Sequence, residues 1–198
     1  MPSNWHSDVT WSDRPPLGSI LLSRKSPPVG GDTLFLDSYA HWDGLPPALK
    51  ELLEGRRAAH GRGARTGSGN EVEHPIARTH PITGKTALYI NPTFTQSICG
   101  MEEAESARLL SQLYSRMYAT PEYGCRFQWE DGSVAMWCVR KLAAALAAPV
   151  LWSAERVVCG GRDNRACQHY ACGDFVRPPP TSSSSSLLLK RSESPLLC

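Results

Sequence analysis

No apolar run in this chain approaches the ~20 residues that cross a bilayer as a helix. No lysine/arginine cluster lies along a candidate helix face, and the formal net charge is only +2 over 198 residues. These lacks argue against a membrane partner and against an electrostatic footprint for nucleic acid. No CxxC pair occurs among the seven cysteines. Residues 1–8 hold no apolar stretch of the signal-peptide kind. A disulfide framework is therefore not expected, and a reducing, cytoplasmic location is.

What is present suits a folded domain. The chain is long enough for one hydrophobic core, with 41% hydrophobic and 20% charged residues. Short β-forming segments recur: LGSILLS (17–23), TLFLD (33–37), TALYIN (86–91), CRFQW (125–129) and SVAMW (133–137). Proline pairs at 15–16 and 27–28, Gly30-Gly31, Thr83-Gly84 and Asp131-Gly132 punctuate them as turns. Two helices are predicted. Residues 45–55 have proline in the first turn and glycine at the end, and 101–118 have acids first and then Leu109, Leu110, Leu113 and Met117 on one face. The sum is a mainly β fold with a few outer helices, of jelly-roll or related barrel type.

Near the start, NWHSDVTW (4–11) sets His6 two residues before Asp8. On a strand, positions i and i+2 share a face, so an imidazole and a carboxylate would stand side by side. That is two thirds of a 2-His-1-carboxylate facial triad, the arrangement typical of non-haem iron(II) oxygenases, whose third histidine comes from elsewhere in the chain. By itself HxD is weak, since roughly nine in ten lone instances would be surface, capping or half-buried strand residues.

The surrounding motifs carry more weight. NWHSDVTW, PPLGSILLSRKSPPVGGDTLFLD, HPIARTHPITGKTALYINPTFTQSI and DNRACQHYA follow one another in order. Together they resemble the taurine dioxygenase / TfdA-like family of iron(II)- and 2-oxoglutarate-dependent dioxygenases, over about residues 5–137 and 163–175. The resemblance implies a double-stranded β-helix (jelly-roll, cupin-like) core, with Fe(II) and O2 as cofactors and 2-oxoglutarate as cosubstrate. It implies His6, Asp8 and His169 as metal ligands and Thr33 as the hydroxyl that bonds 2-oxoglutarate. Asn91 and Phe94 would border the pocket of a small anionic substrate such as a sulfonate, with a core role for Phe94 equally open. Gly30 and Gly31 would form the turn before Thr33. Arg78 and His80 match the family pattern, with His80 read as structural. His41, His60 and His74 have no motif support. The activity implied is substrate hydroxylation coupled to conversion of 2-oxoglutarate to succinate and CO2. Homo-oligomerisation stays open.

The chain departs from that family in three places. Family members carry a segment before the HxD, whereas Met1 lies five residues before His6. Trp137 and Asp163, adjacent in the family pattern, are separated by 25 residues, 138–162. An arginine that would pair with the far carboxylate of 2-oxoglutarate is expected about a dozen residues after His169. Pro180, Thr181 and serines stand there instead, and Arg177 is too close to His169 and precedes three prolines. The domain boundaries read from these features are 1–137, an insertion at 138–162, a continuation at 163–176 and a low-complexity, disordered tail at 177–198. The insertion reads either as a retained intron, whose removal restores Trp-Asp-Asn-Arg in frame, or as an alanine-rich helix ended by Pro149. The alternative function is a catalytically inactive, truncated or mis-spliced family member.

Overall fold

The computed structural model describes residues 5–61, 71–139, 142–146, 153–159 and 167–171, the last three stretches as backbone strands only. Twelve strands and three α-helices are described. The first sheet has the order β12-β11-β1-β9, formed by Cys167–Ala171, Ser153–Cys159, Gly18–Lys25 and Val134–Cys138. The second has the order β10-β2-β8, formed by Leu142–Leu146, Thr33–Asp37 and Gly124–Phe127. A three-stranded sheet joins β4 (Val72–Pro75), β3 (Arg57–His60) and β7 (Thr95–Ile98), and β5 (Ala77–Thr79) pairs with β6 (Thr86–Leu88). All pairings are antiparallel.

The period-2 pattern sets which face of each strand is buried. On β1, Ser19, Leu21 and Ser23 are buried and alternate with half-buried Ile20 and Leu22. On β9, Ala135 and Trp137 point inward while Val134 and Met136 are exposed. Cross-strand partners share a face, so Ser19 opposite Trp137 and Leu21 opposite Ala135 form one inward row set. Facing them across the two sheets is Phe35 of β2. Leu21, Phe35, Trp129, Ala135, Trp137 and Val139 form one core cluster, with the Phe35 and Trp137 rings 5.2 Å apart. The opposite face of β2 places Leu36 in a second cluster, under the long helix.

That helix, α3 (Glu103–Ala119), starts where the Glu102 carboxylate caps the amides of Ala104 and Glu105, and it buries Leu109, Leu110, Leu113 and Met117. The predicted helix at 45–55 appears as α2 (Pro47–Leu53), stopped by Gly55 at φ +73°. A short helix, α1 (Ser38–Asp43), was not expected. It begins because the Asp37 carboxylate accepts from the Tyr39 amide. No helix among the described residues is long and apolar enough to cross a membrane.

The segment 138–162 differs from the expected helix. Residues 142–146 form β10 along one edge of β2, and residues 153–159 form β11 beside β1. Alanine favours helix over strand in isolation, so the open edges of β1 and β2 override local preference here. The expectation of a disordered tail at 177–198 lies outside the described residues.

Candidate metal and cosubstrate site

His6 and Asp8 come together, although not on a regular strand. His6 makes an isolated bridge and Asp8 opens a turn. The correction arises at Val9, whose φ of +58° is left-handed and uncommon for a β-branched residue. That conformation costs about 1–2 kcal/mol and ends the extended run directly after the carboxylate. His6 Nε2 and Asp8 Oδ1 still lie 3.5 Å apart, with Asp8 buried and His6 22% exposed. One edge of the pair is thus accessible while the carboxylate is fixed from within. The Ser19 hydroxyl donates to Asp8 Oδ2 at 2.6 Å, a short charge-assisted bond. Because Ser19 sits on the inward face of β1, that bond ties the HxD turn to the space between the two sheets.

Several buried side chains brace the strained turn. His74 Nε2 lies 3.0 Å from the Thr10 and Ser12 carbonyls, so that nitrogen carries the proton and donates to them. Asn91 Nδ2 donates to Thr10 Oγ1 at 3.4 Å, and Asn91 Oδ1 accepts from the Phe94 amide at 2.8 Å. Asn91 is buried, and these bonds fix its side chain against the turn that follows Asp8. Phe94 meets His6 edge-on at 6.1 Å and packs 4.4 Å from Trp11. It forms an apolar wall beside the imidazole.

Thr33 is buried on β2, on the same face as Phe35. Trp129 Nε1 donates to its Oγ1 at 2.9 Å. A hydroxyl that accepts a bond in this way keeps its own proton for a second partner. Gly30 and Gly31 have φ +82° and +78°, the left-handed turn expected before it. A cavity of about 400 Å³ lined by Trp5, Leu34, Leu36 and Met117 opens on the other face of β2, away from Thr33.

His169 stands on β12, opposite Val157 of β11. Among the described residues, no group of three or more His, Cys, Asp and Glu side chains converges as a metal site. His80 proves to be a turn residue. Its Nδ1 accepts from the Ile82 and Thr83 amides, and its Nε2 lies 3.4 Å from Cys138 Sγ. Arg78 packs over the Tyr89 ring at 4.5 Å.

Sequence reasoning gave no role to Ser19, His60 or His74. His60 is fully buried and stacks near His74 and Tyr89, at 5.4 and 5.8 Å between ring centroids. Burial, aided by His74 and the Arg78 charge, pushes its pKa down to about 3. Burial also lowers His74 and His41. A serine alternating with leucines on the buried face of β1 was the one available signal for Ser19.

The family model described as "Taurine catabolism dioxygenase TauD, TfdA family" matches residues 1–143, ending within β10. The chain belongs to this family. It is similar to the alpha-ketoglutarate-dependent sulfate ester dioxygenase of Pseudomonas putida, 31% identical over 197 residues, covering 89% of this chain and 56% of that protein. It is also similar to the alpha-ketoglutarate-dependent sulfonate dioxygenase of Saccharomyces cerevisiae, 29% identical over 185 residues, covering 88% of this chain and 39% of that one. The crystal structure of a taurine dioxygenase from Burkholderia xenovorans superimposes with a TM-score of 0.72 at 32% identity, covering 88% of this chain and 64% of that chain. The TauD/TfdA chain thus has the mainly β, jelly-roll architecture of these dioxygenases. It spans about half the length of the curated relatives, or less.

Proposed function

We propose that this TauD/TfdA chain carries the iron(II)- and 2-oxoglutarate-binding core of a dioxygenase that hydroxylates a small anionic sulfonate or sulfate ester. The observation that carries the reading is the His6–Asp8 pair, held 3.5 Å apart with its carboxylate fixed by Ser19. An imidazole nitrogen beside a carboxylate is a donor set that suits Fe(II), and its outer partners are of the kind that orient metal ligands. His6 and Asp8 would hold the metal, and His169 would be the third ligand only where its strand is brought to the face that carries Ser19. Bound Fe(II) would supply oxygen activation, driven by decarboxylation of 2-oxoglutarate to succinate and CO2.

The chain's own groups do the positioning. Trp129 N–H bonds the lone-pair side of Thr33 Oγ1, leaving the hydroxyl proton to donate to a 2-oxoglutarate carboxylate. Phe94, itself packed against Trp11, stands edge-on to one side of the His6 ring. His74 holds the Thr10 and Ser12 carbonyls and Asn91 the Thr10 hydroxyl, in the turn that follows Asp8. The sulfonate and sulfate ester chemistry of the relatives supports the choice of substrate class. A cytoplasmic location is part of the same reading.

The test is succinate formation from 2-oxoglutarate with ascorbate and a panel of alkyl sulfonates and sulfates, at iron(II) raised to saturation. Folded protein that forms no succinate, even without substrate, would reject the proposal. Thr33→Val, which removes the hydroxyl at nearly constant shape, should raise the KM for 2-oxoglutarate. A hydrogen bond to a charged group contributes about 1.5–3 kcal/mol, so roughly a 10- to 100-fold rise is expected, with a smaller change in kcat. An unchanged KM would remove Thr33 from the cosubstrate site.

A further inference from the structure

The strand that carries His169 lies in the first sheet, two strands from β1. Its register fixes a row Met136–Ile20–Val157–His169. Met136 in that row is 60% exposed and Ile20 belongs to the alternate, outer set of β1. Asp8 is tied instead to Ser19, whose row runs through Val158 to Gln168. Since a strand changes face at each residue, the His169 row and the Asp8 anchor belong to opposite faces of one sheet.

The edge of β2 tells a complementary story. It is filled by β10, with Leu142 opposite Asp37, Ala144 opposite Phe35 and Leu146 opposite Thr33. Leu142 is the fifth residue after Trp137. With 138–162 absent and Asp163 following Trp137, Cys167 becomes the fifth residue after Trp137. Cys167–Ala171 and Leu142–Leu146 each have five residues. The same connector length therefore delivers the His169 strand to the same edge. Cys167 falls opposite Asp37, His169 opposite Phe35 and Ala171 opposite Thr33. Phe35 is buried against Trp137, in the space onto which Ser19 and Thr33 also face. Residues directly opposite on antiparallel strands share a face, so on that edge the position of His169 would fall on the face of β2 that carries Phe35.

We propose that Leu142–Leu146, within the segment 138–162, occupies the edge of β2 that belongs to the His169 strand. A chain in which Asp163 follows Trp137 directly completes the metal site, and the chain carrying the segment holds metal through His6 and Asp8 alone. The segment thus sets metal affinity, as inclusion or removal of an intron would. This inference rests on the proposed iron site.

Co(II) titration of the full chain and of a chain lacking 138–162 tests it, each with and without His169→Ala. Loss of a true ligand should exceed the 10- to 100-fold effects typical of outer-shell changes. His169→Ala should therefore weaken Co(II) binding by roughly 100-fold or more in the shortened chain and leave the full chain unchanged. In the full chain, Ala144→His places an imidazole at the Phe35 position and should tighten Co(II) binding by a similar factor. This second variant keeps the test decisive if the shortened chain does not fold. Equal weakening by His169→Ala in both chains, or no gain from Ala144→His, overturns the inference. His6→Ala separates the two levels. If it weakens Co(II) binding while the His169 and Ala144 variants do not respond as stated, only the strand inference fails. If His6→Ala changes nothing, the iron site itself fails and the inference with it.

Discussion

Asp8→Asn is expected to reduce Fe(II) affinity by on the order of 100-fold or more while leaving the fold intact. The lower bound follows because changes in the outer shell of a metal site already cost 10- to 100-fold, and Asp8 is read as a ligand. The two oxygens of this carboxylate have separate duties. Oδ1 faces His6 Nε2 at 3.5 Å and Oδ2 accepts the Ser19 hydroxyl at 2.6 Å. Asparagine keeps an oxygen for Ser19 but puts an amide nitrogen, which has no lone pair to give, at the other position and removes the charge. Asp8→Ala has a second consequence. It leaves the Ser19 hydroxyl, which is fully buried, without this acceptor, at a cost of about 1–3 kcal/mol. Anaerobic calorimetric titration with Fe(II), paired with thermal unfolding, checks both. A few-fold change in affinity for Asp8→Asn would remove Asp8 from the metal site.

The elements that the sequence made legible are those whose pattern is local. Thr33–Asp37 matches its predicted bounds because an apolar run follows a glycine turn, and Glu103–Ala119 is displaced by only two residues at its start and one at its end from the predicted 101–118. The missed strands Arg57–His60 and Val72–Pro75 are four residues each, with alanine, histidine and proline where β-branched residues were sought. They exist because they pair with each other and because β3 also pairs with Thr95–Ile98. Their register is a tertiary fact. The candidate site divides in the same way. His6, Asp8 and Thr33 were visible because a short motif holds each of them. Ser19, His74 and His60 were not, because their roles arise from segments far apart in the chain: residue 8 with 19, residue 10 with 74, residue 60 with 95. The alanine-rich segment illustrates the reverse error. Its composition suggests a helix, but two unpaired sheet edges compete for it more strongly than its own propensity does.

Buried, neutral His60 should make this domain sensitive to acid. Its folded pKa is lowered from 6.5 to about 3 by burial and by His74 and Arg78. Between those values the unfolded chain binds a proton that the folded chain refuses, so stability rises with pH. His60 costs nothing above about pH 7, and its penalty grows as pH falls through 6.5 toward 3. That single site should remove about 2 kcal/mol between pH 7.5 and pH 5, approaching roughly 4–5 kcal/mol near pH 3. His74 and His41, also lowered by burial, act with the same sign. His60→Gln removes the titration while keeping an amide able to meet Thr95 Oγ1, now 3.4 Å from His60 Nδ1. Urea unfolding followed by circular dichroism should show the variant losing about 2 kcal/mol less than the native chain between pH 7.5 and pH 5. Parallel pH profiles for the two proteins would mean that His60 takes up its proton without unfolding, and that the His60–His74–Tyr89 cluster admits water.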